Sequence, residues 1–102
     1  MRLTKAQLET IIDIFSKHFL SEDKLWLFGS RVNDTLKGGD IDFYVETNYD
    51  NWSIAVEKQI SFLIDLKKSI GDQKIDLIIN LLKNNQNRPI YDEAKNTGIQ
   101  LK

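Results

Sequence analysis

From Lys5 to Phe19 the apolar positions Leu8, Ile11, Ile12, Phe15 and Phe19 recur at the spacing of a helix with one buried face. Thr4 stands where an N-cap belongs, so the pattern predicts an amphipathic helix over about 5–19. After the polar turn Ser21-Glu22-Asp23 the period changes. Leu25-Trp26-Leu27-Phe28 is a short continuous apolar run, the mark of a strand buried on both faces, and it stops at Gly29. Between Gly29 and Gly39 only Val32 and Leu36 are apolar, which predicts a helical turn and a loop. A second strand follows from Asp40 to about Glu46. Residues 48–51 form a turn in which Asp50 or Asn51 can cap the next helix. In that helix Trp52, Ala55, Val56, Gln59, Leu63, Leu66 and Ile70 make one stripe, and Ile54, Ile60, Phe62 and Ile64 widen it. So much apolar surface predicts a helix wedged between a sheet and a neighbouring helix, with a partner-binding surface as the alternative. Gly71 ends the helix, and 74–79 read as a third strand interrupted by Asp76. Beyond a polar loop at 84–87, Pro89 opens a short terminal helix that takes in Tyr91 to Lys95 with Ile99 and Leu101.

The order is helix, strand, turn, strand, helix, strand, helix. It predicts an α/β (α+β) domain with a small mixed sheet of three to four strands and helices packed on one face. At 102 residues the chain reads as one domain over 1–102, able to bury about two-thirds of its unfolded surface but not to hold a separate substrate domain. A hydrophobic share of 41% with 28% charged residues excludes a disordered chain. No apolar run approaches the roughly 20 residues that span a bilayer, and no basic region precedes a signal-like core, so no membrane contact and a cytoplasmic location are expected. The absence of cysteine excludes disulfides and a thiol nucleophile and fits a reducing compartment. A net charge of -1 argues against tight binding of duplex nucleic acid and leaves a small anionic ligand open. His18, near the end of the first helix, reads as a surface residue favoured by the helix dipole and takes no role.

Asp40 and Asp42 carry the chemistry. Two apart on a strand, their carboxylates share one face, with backbones roughly 6.5 Å apart, while Ile41 and Phe43 take the other face. Asp76 interrupts another apolar strand, so the three carboxylates should meet on one exposed face of the sheet. That is a metal site in outline. Carboxylate oxygens are the hard ligands Mg²⁺ takes, and Mg²⁺ completes its octahedron with waters and substrate phosphates. Two such ions about 3.5–4 Å apart stabilise the attacking and leaving oxygens of a displacement at phosphorus. In that scheme Asp40 and Asp42 bridge both ions, and Asp76 serves the attacking hydroxyl as ligand or base. Gly29 lets the backbone approach a triphosphate, Ser30 supplies a hydroxyl and an amide, and a helical turn starting there points N–H groups at the anion. Arg31 either neutralises leaving-group charge or pairs with a carboxylate such as Asp34. Lys37 reads as a solvated charge. Taken singly, Gly-Ser suits any turn, Gly-Gly-Asp any strand opening, and Asp76 a strand end; their combination in this order favours the site.

With Gly29-Ser30, Asp40-Ile41-Asp42 eleven residues later and Asp76, the chain resembles the nucleotidyltransferase superfamily that includes DNA polymerase beta. The resemblance extends loosely over the whole chain and implies the polymerase beta-like nucleotidyltransferase fold. The short length, and Gly-Ser-Arg followed by Asp-Ile-Asp, look most like the minimal nucleotidyltransferases, many of them antitoxins encoded beside a helical HEPN-domain ribonuclease toxin. For these the resemblance implies transfer of AMP from ATP, with Mg²⁺, to a tyrosine of the HEPN toxin. It assigns Ser30 to the triphosphate, Asp40 and Asp42 to metal, Asp76 as third carboxylate, Gly29 to the turn and Arg31 to the common basic position. The chain departs from many relatives at Val32-Asn33-Asp34, where they carry a further arginine and a glycine, and at Gly39, where they carry serine. No metal ligand is lost by these differences.

Two classes of function follow. The first is a nucleotidyltransferase that modifies a hydroxyl on a partner protein docked from outside, on the helix containing Trp52 and Phe62. The alternative is a non-catalytic nucleotide-binding module that neutralises its partner by covering it. Transfer to a small hydroxylated molecule such as an aminoglycoside is a third, weaker, reading.

Overall fold

Residues 3–29, 41–71 and 74–102 are described by a computed structural model. The elements follow the periodicity closely: α1 (Lys5–His18), β1 (Lys24–Phe28), β2 (Ile41–Thr47), α2 (Trp52–Ile70), β3 (Ile75–Leu81), a 3₁₀ turn at Leu82–Asn84, α3 (Pro89–Thr97) and β4 (Ile99–Gln100). Both long helices begin as their caps predict. Thr4 and Gln7 form a capping box, and the Asn51 side chain accepts from the Ile54 amide at 3.0 Å. The strand order is β3-β2-β1-β4, with β2 and β3 parallel and the other pairs antiparallel.

Side-chain alternation divides this sheet into two unlike faces. Leu25, Leu27, Ile41, Phe43, Val45, Ile79 and Leu81 meet α1 and α2 in the main core. There Phe15, Phe19 and Phe62 interlock, with ring centroids 4.7 to 5.7 Å apart. The expectation of helices on one face holds for α1 and α2. It fails for α3, whose Tyr91 and Ala94 pack with Trp26 and Tyr44 on the opposite face. The terminal helix is also shorter than the apolar positions suggest, because Gly98 ends it and Ile99 belongs to β4. A Cβ at Gly98 would stand 2.4 Å from the Ala94 carbonyl oxygen and 2.7 Å from that of Leu27. Only glycine lets the chain turn so tightly onto β1, where the Leu101 amide then donates to the Leu25 carbonyl at 2.8 Å.

Three polar groups ignored by the periodicity tie the elements together. Asp23 is 2% exposed. It accepts from the Leu20 amide (2.9 Å), the Thr47 hydroxyl (2.7 Å), and the Asn48 amide (2.8 Å) and side-chain nitrogen (3.1 Å), clamping the turn before β1 to the end of β2. His18 is not a free surface residue: its Nε2 lies 2.5 Å from Asp65 Oδ2 and joins α1 to α2. That hydrogen bond holds the Asp65 carboxyl below its ordinary range. On the α3 face the buried Tyr44 hydroxyl donates to Glu46 Oε2 at 2.9 Å and accepts from Asn80 Nδ2 at 3.0 Å. Lys95 reaches the same Glu46 oxygen at 3.1 Å and stands over the Trp26 ring. Burial, more than the Glu46 carboxylate, raises the Tyr44 hydroxyl far above its ordinary 10.0.

Two outcomes follow. Asp23→Ala strands four donors at once and should lower unfolding stability by roughly 2–4 kcal/mol, read from urea midpoints. For Tyr44 the neutral form is the native one, so its contribution is complete below pH 10 and declines as the pH rises beyond it. Between pH 9 and 11 the wild-type urea midpoint should therefore fall more steeply than that of Tyr44→Phe; parallel declines would show that Tyr44 ionisation does not drive the loss.

Candidate active site

The register of the sheet places Asp42 and Asp76 side by side. Asp42 is the partner of Asp76 across the parallel β2–β3 pair and of Phe28 across the antiparallel β1–β2 pair. Phe28, Asp42 and Asp76 therefore form one row on one face, with successive backbones about 4.8 Å apart. The next row is Trp26, Tyr44 and Ile78, and the one after it Lys24, Glu46 and Asn80. Tyr91 and Ala94 of α3 rest on the second row. In the first row Asp42 stays half-buried and Asp76 exposed.

Gly29 determines what Asp42 can do. The residue leaves β1 with φ +80°, in the left-handed region, and a Cβ there would lie 2.3 Å from Asp42 Oδ2 and 3.2 Å from its Cγ. Any other residue would both strain the backbone and displace the carboxylate. From its sequence context Gly29 is expected to let the backbone approach a triphosphate; its missing side chain also leaves room for Asp42.

Of the six residues singled out from sequence, Gly29, Asp42 and Asp76 come together, while Ser30, Arg31 and Asp40 lie outside the described residues. Among the described residues no group of three or more His, Cys, Asp or Glu stands ready to hold a metal ion. The pair that is described nonetheless fits a hard divalent cation: two carboxylates in one row, one of them beside a cradle that a Cβ would fill. Sequence reasoning missed Phe28 as the apolar flank of this row, although its place as the last residue before Gly29 was a usable signal. It also missed the Tyr44, Glu46 and Asn80 network behind it, visible only as polar residues of the same strand parity as Asp42 and Asp76.

Two further surfaces lie elsewhere. A cavity of about 420 Å³ lined by Leu20, Glu22, Asn48, Tyr49, Asp50, Ile54 and Lys83 opens at the other end of the strands, where Lys83 pairs with Asp50. Along α2, Trp52, Val56, Ile60 and Ile64 are exposed at 39, 43, 54 and 51%. They recur every fourth residue and form a ridge. Phe62, grouped with Trp52 from the sequence as a docking surface, is wholly buried in the core instead. No helix is long and apolar enough to cross a membrane among the described residues.

A family model described as the nucleotidyltransferase domain matches residues 8–98, from α1 through Gly29, Asp42 and Asp76 to the end of α3. No match to a curated protein was found. Members of that family generally transfer a nucleotidyl group from a nucleoside triphosphate with a divalent metal. The match covers most of the chain, and the small mixed α/β sheet with three helices agrees with the polymerase beta-like fold. This chain belongs to the nucleotidyltransferase domain family.

Proposed function

We propose that the chain transfers AMP from ATP to a tyrosine hydroxyl of a HEPN-domain toxin and so acts as its antitoxin. The observation that carries the proposal is the Asp42–Asp76 row beside Gly29, set within a nucleotidyltransferase domain. Asp40, Asp42 and Asp76 would hold Mg²⁺, two ions in the fullest form, which when bound neutralise triphosphate charge and polarise the α-phosphate. Gly29, lacking a side chain, leaves room for the Asp42 carboxylate, and Ser30 donates to the triphosphate. Arg31 offsets charge on the departing pyrophosphate. The acceptor oxygen bonds to the α-phosphorus as the bond from that phosphorus to the β-phosphate oxygen breaks, and pyrophosphate leaves with the electron pair. The proton of the hydroxyl passes to the Asp76 carboxylate and on to water. Asp76 suits this part because it is the more exposed carboxylate of the row.

The α2 ridge of Trp52, Val56, Ile60 and Ile64 favours one alternative, a non-catalytic module that neutralises its partner by covering it. The site residues separate the two. With ATP, Mg²⁺ and the product of the adjacent gene as partner, the wild-type chain should raise the partner's intact mass by one or more AMP units. Asp42→Asn should slow that transfer at least about 100-fold, since several kcal/mol of charge stabilisation go with the ligand, while the melting temperature changes little. Transfer at the normal rate by the variant would sink the mechanism. In cells, Asp40→Asn with Asp42→Asn should lose protection against the toxin; full protection at ordinary expression would establish the covering module.

A further inference from the structure

Among the described residues β3 is an edge strand of the sheet, and its outer side adjoins the carboxylate row. The hydrogen bond from the Ile41 amide to the Lys74 carbonyl (3.0 Å) determines which peptide groups β2 uses. In a parallel ladder of this register Lys74, Asp76, Ile78 and Asn80 turn their N–H and C=O toward β2, and Ile75, Leu77, Ile79 and Leu81 turn theirs outward. Among the described residues no strand pairs with that outward side. One described side chain reaches it: the Tyr91 hydroxyl donates to the Ile79 carbonyl at 3.4 Å. Among the described residues the open part is thus the Ile75–Leu77 end, which is the end that carries Asp76. Edge strands are ordinarily blunted by proline, lysine or a bulge. β3 has seven residues, an unbroken register, and neither proline nor lysine.

We infer that the acceptor polypeptide docks here as an extended strand added to β3, with its hydroxyl residue in register with Asp76. This docking mode presupposes the transfer proposed above and specifies its substrate. An added strand lies about 4.8 Å from β3 and places the side chain opposite Asp76 on the same face as both carboxylates. Asp42 stands one strand further in, so the acceptor hydroxyl must project across Asp76, which favours tyrosine over the shorter serine. The residues on either side of that tyrosine turn to the other face, beside Ile75 and Leu77. Both are only half-buried against the core, so apolar neighbours extend it. The substrate is an extended apolar-tyrosine-apolar segment. A second copy of this chain fits less well, because β3 paired with β3 would cover the row with Ile78 or a like-charged Asp76 where a hydroxyl is required.

A nine-residue peptide with a central tyrosine flanked by valines tests the docking without ATP, by amide hydrogen exchange on the intact chain. In the free protein the outward Leu77 amide should exchange fast and the inward Asp76 and Ile78 amides slowly. Saturating peptide should slow Leu77 by roughly 10-fold or more. N-methylating peptide amides of one parity should abolish that protection, and methylating those of the other parity should preserve it, since only alternate peptide groups face β3. Equal effects of the two parities, or no protection of Leu77, would overturn the inference. So would a Leu77 amide already protected in a dimer of the free chain. Transfer to the peptide judges the catalytic proposal separately. Parity-dependent protection without any transfer would leave the docking edge standing and remove the activity, whereas transfer without Leu77 protection would do the reverse.

Discussion

The parallel pairing of β2 with β3 is the constraint on which the site depends. Side chains alternate along a strand, so a slip of one residue would carry Asp76 from the open face to the face packed by α1 and α2. A carboxylate would then enter a core made of Phe15, Phe43, Phe62 and Leu66, and Ile75 or Leu77 would take its place in the row. The alternation of Ile75, Leu77, Ile79 and Leu81 toward that core therefore fixes Asp76 opposite Asp42 through burial, not through any attraction between the two carboxylates. The two carboxylates are thus held side by side by hydrophobic packing on the other side of the sheet.

The two faces divide the work. The α1 and α2 face supplies the aromatic core, and the Asp23 clamp and His18–Asp65 pair brace it far from the carboxylates. The α3 face is polar at both ends and apolar in the middle. One end is the Tyr44, Glu46, Asn80 and Lys95 network, closed by its own hydrogen bonds; the other is the Asp42–Asp76 row beside Gly29. Gly98 ends α3 tightly against the Leu27 carbonyl, and Tyr91 and Ala94 of the helix pack with Trp26 and Tyr44, one row away from the carboxylates. A helix one turn longer would have no room at this junction.

Strongly periodic stretches were legible from the sequence. α1, α2 and their caps follow from apolar spacing and from Thr4 and Asn51, and Asp42 and Asp76 stood out because each breaks an apolar run. Features that lack a local pattern were not legible. β4 has two residues and no period, so Ile99 and Leu101 looked like the tail of a helix. Asp23 within Ser-Glu-Asp looks the same whether solvated or holding four donors. α2 has apolar residues all round, so its pattern could not say that Phe62 faces inward and Ile60 outward; only the positions of the sheet and α1 decide that. The roles of Ser30, Arg31 and Asp40 stand on the sequence argument alone.

The central claim is that Asp42 and Asp76 act as one unit in nucleotidyl transfer. A double-mutant cycle on pyrophosphate release from ATP, with the acceptor protein present and Asp42→Asn, Asp76→Asn and the pair compared, tests it most directly. Residues that hold the same reacting groups lose their effect together, so the double variant should be about as slow as the slower single variant. Losses that multiply, as for two independent sites, would contradict the account.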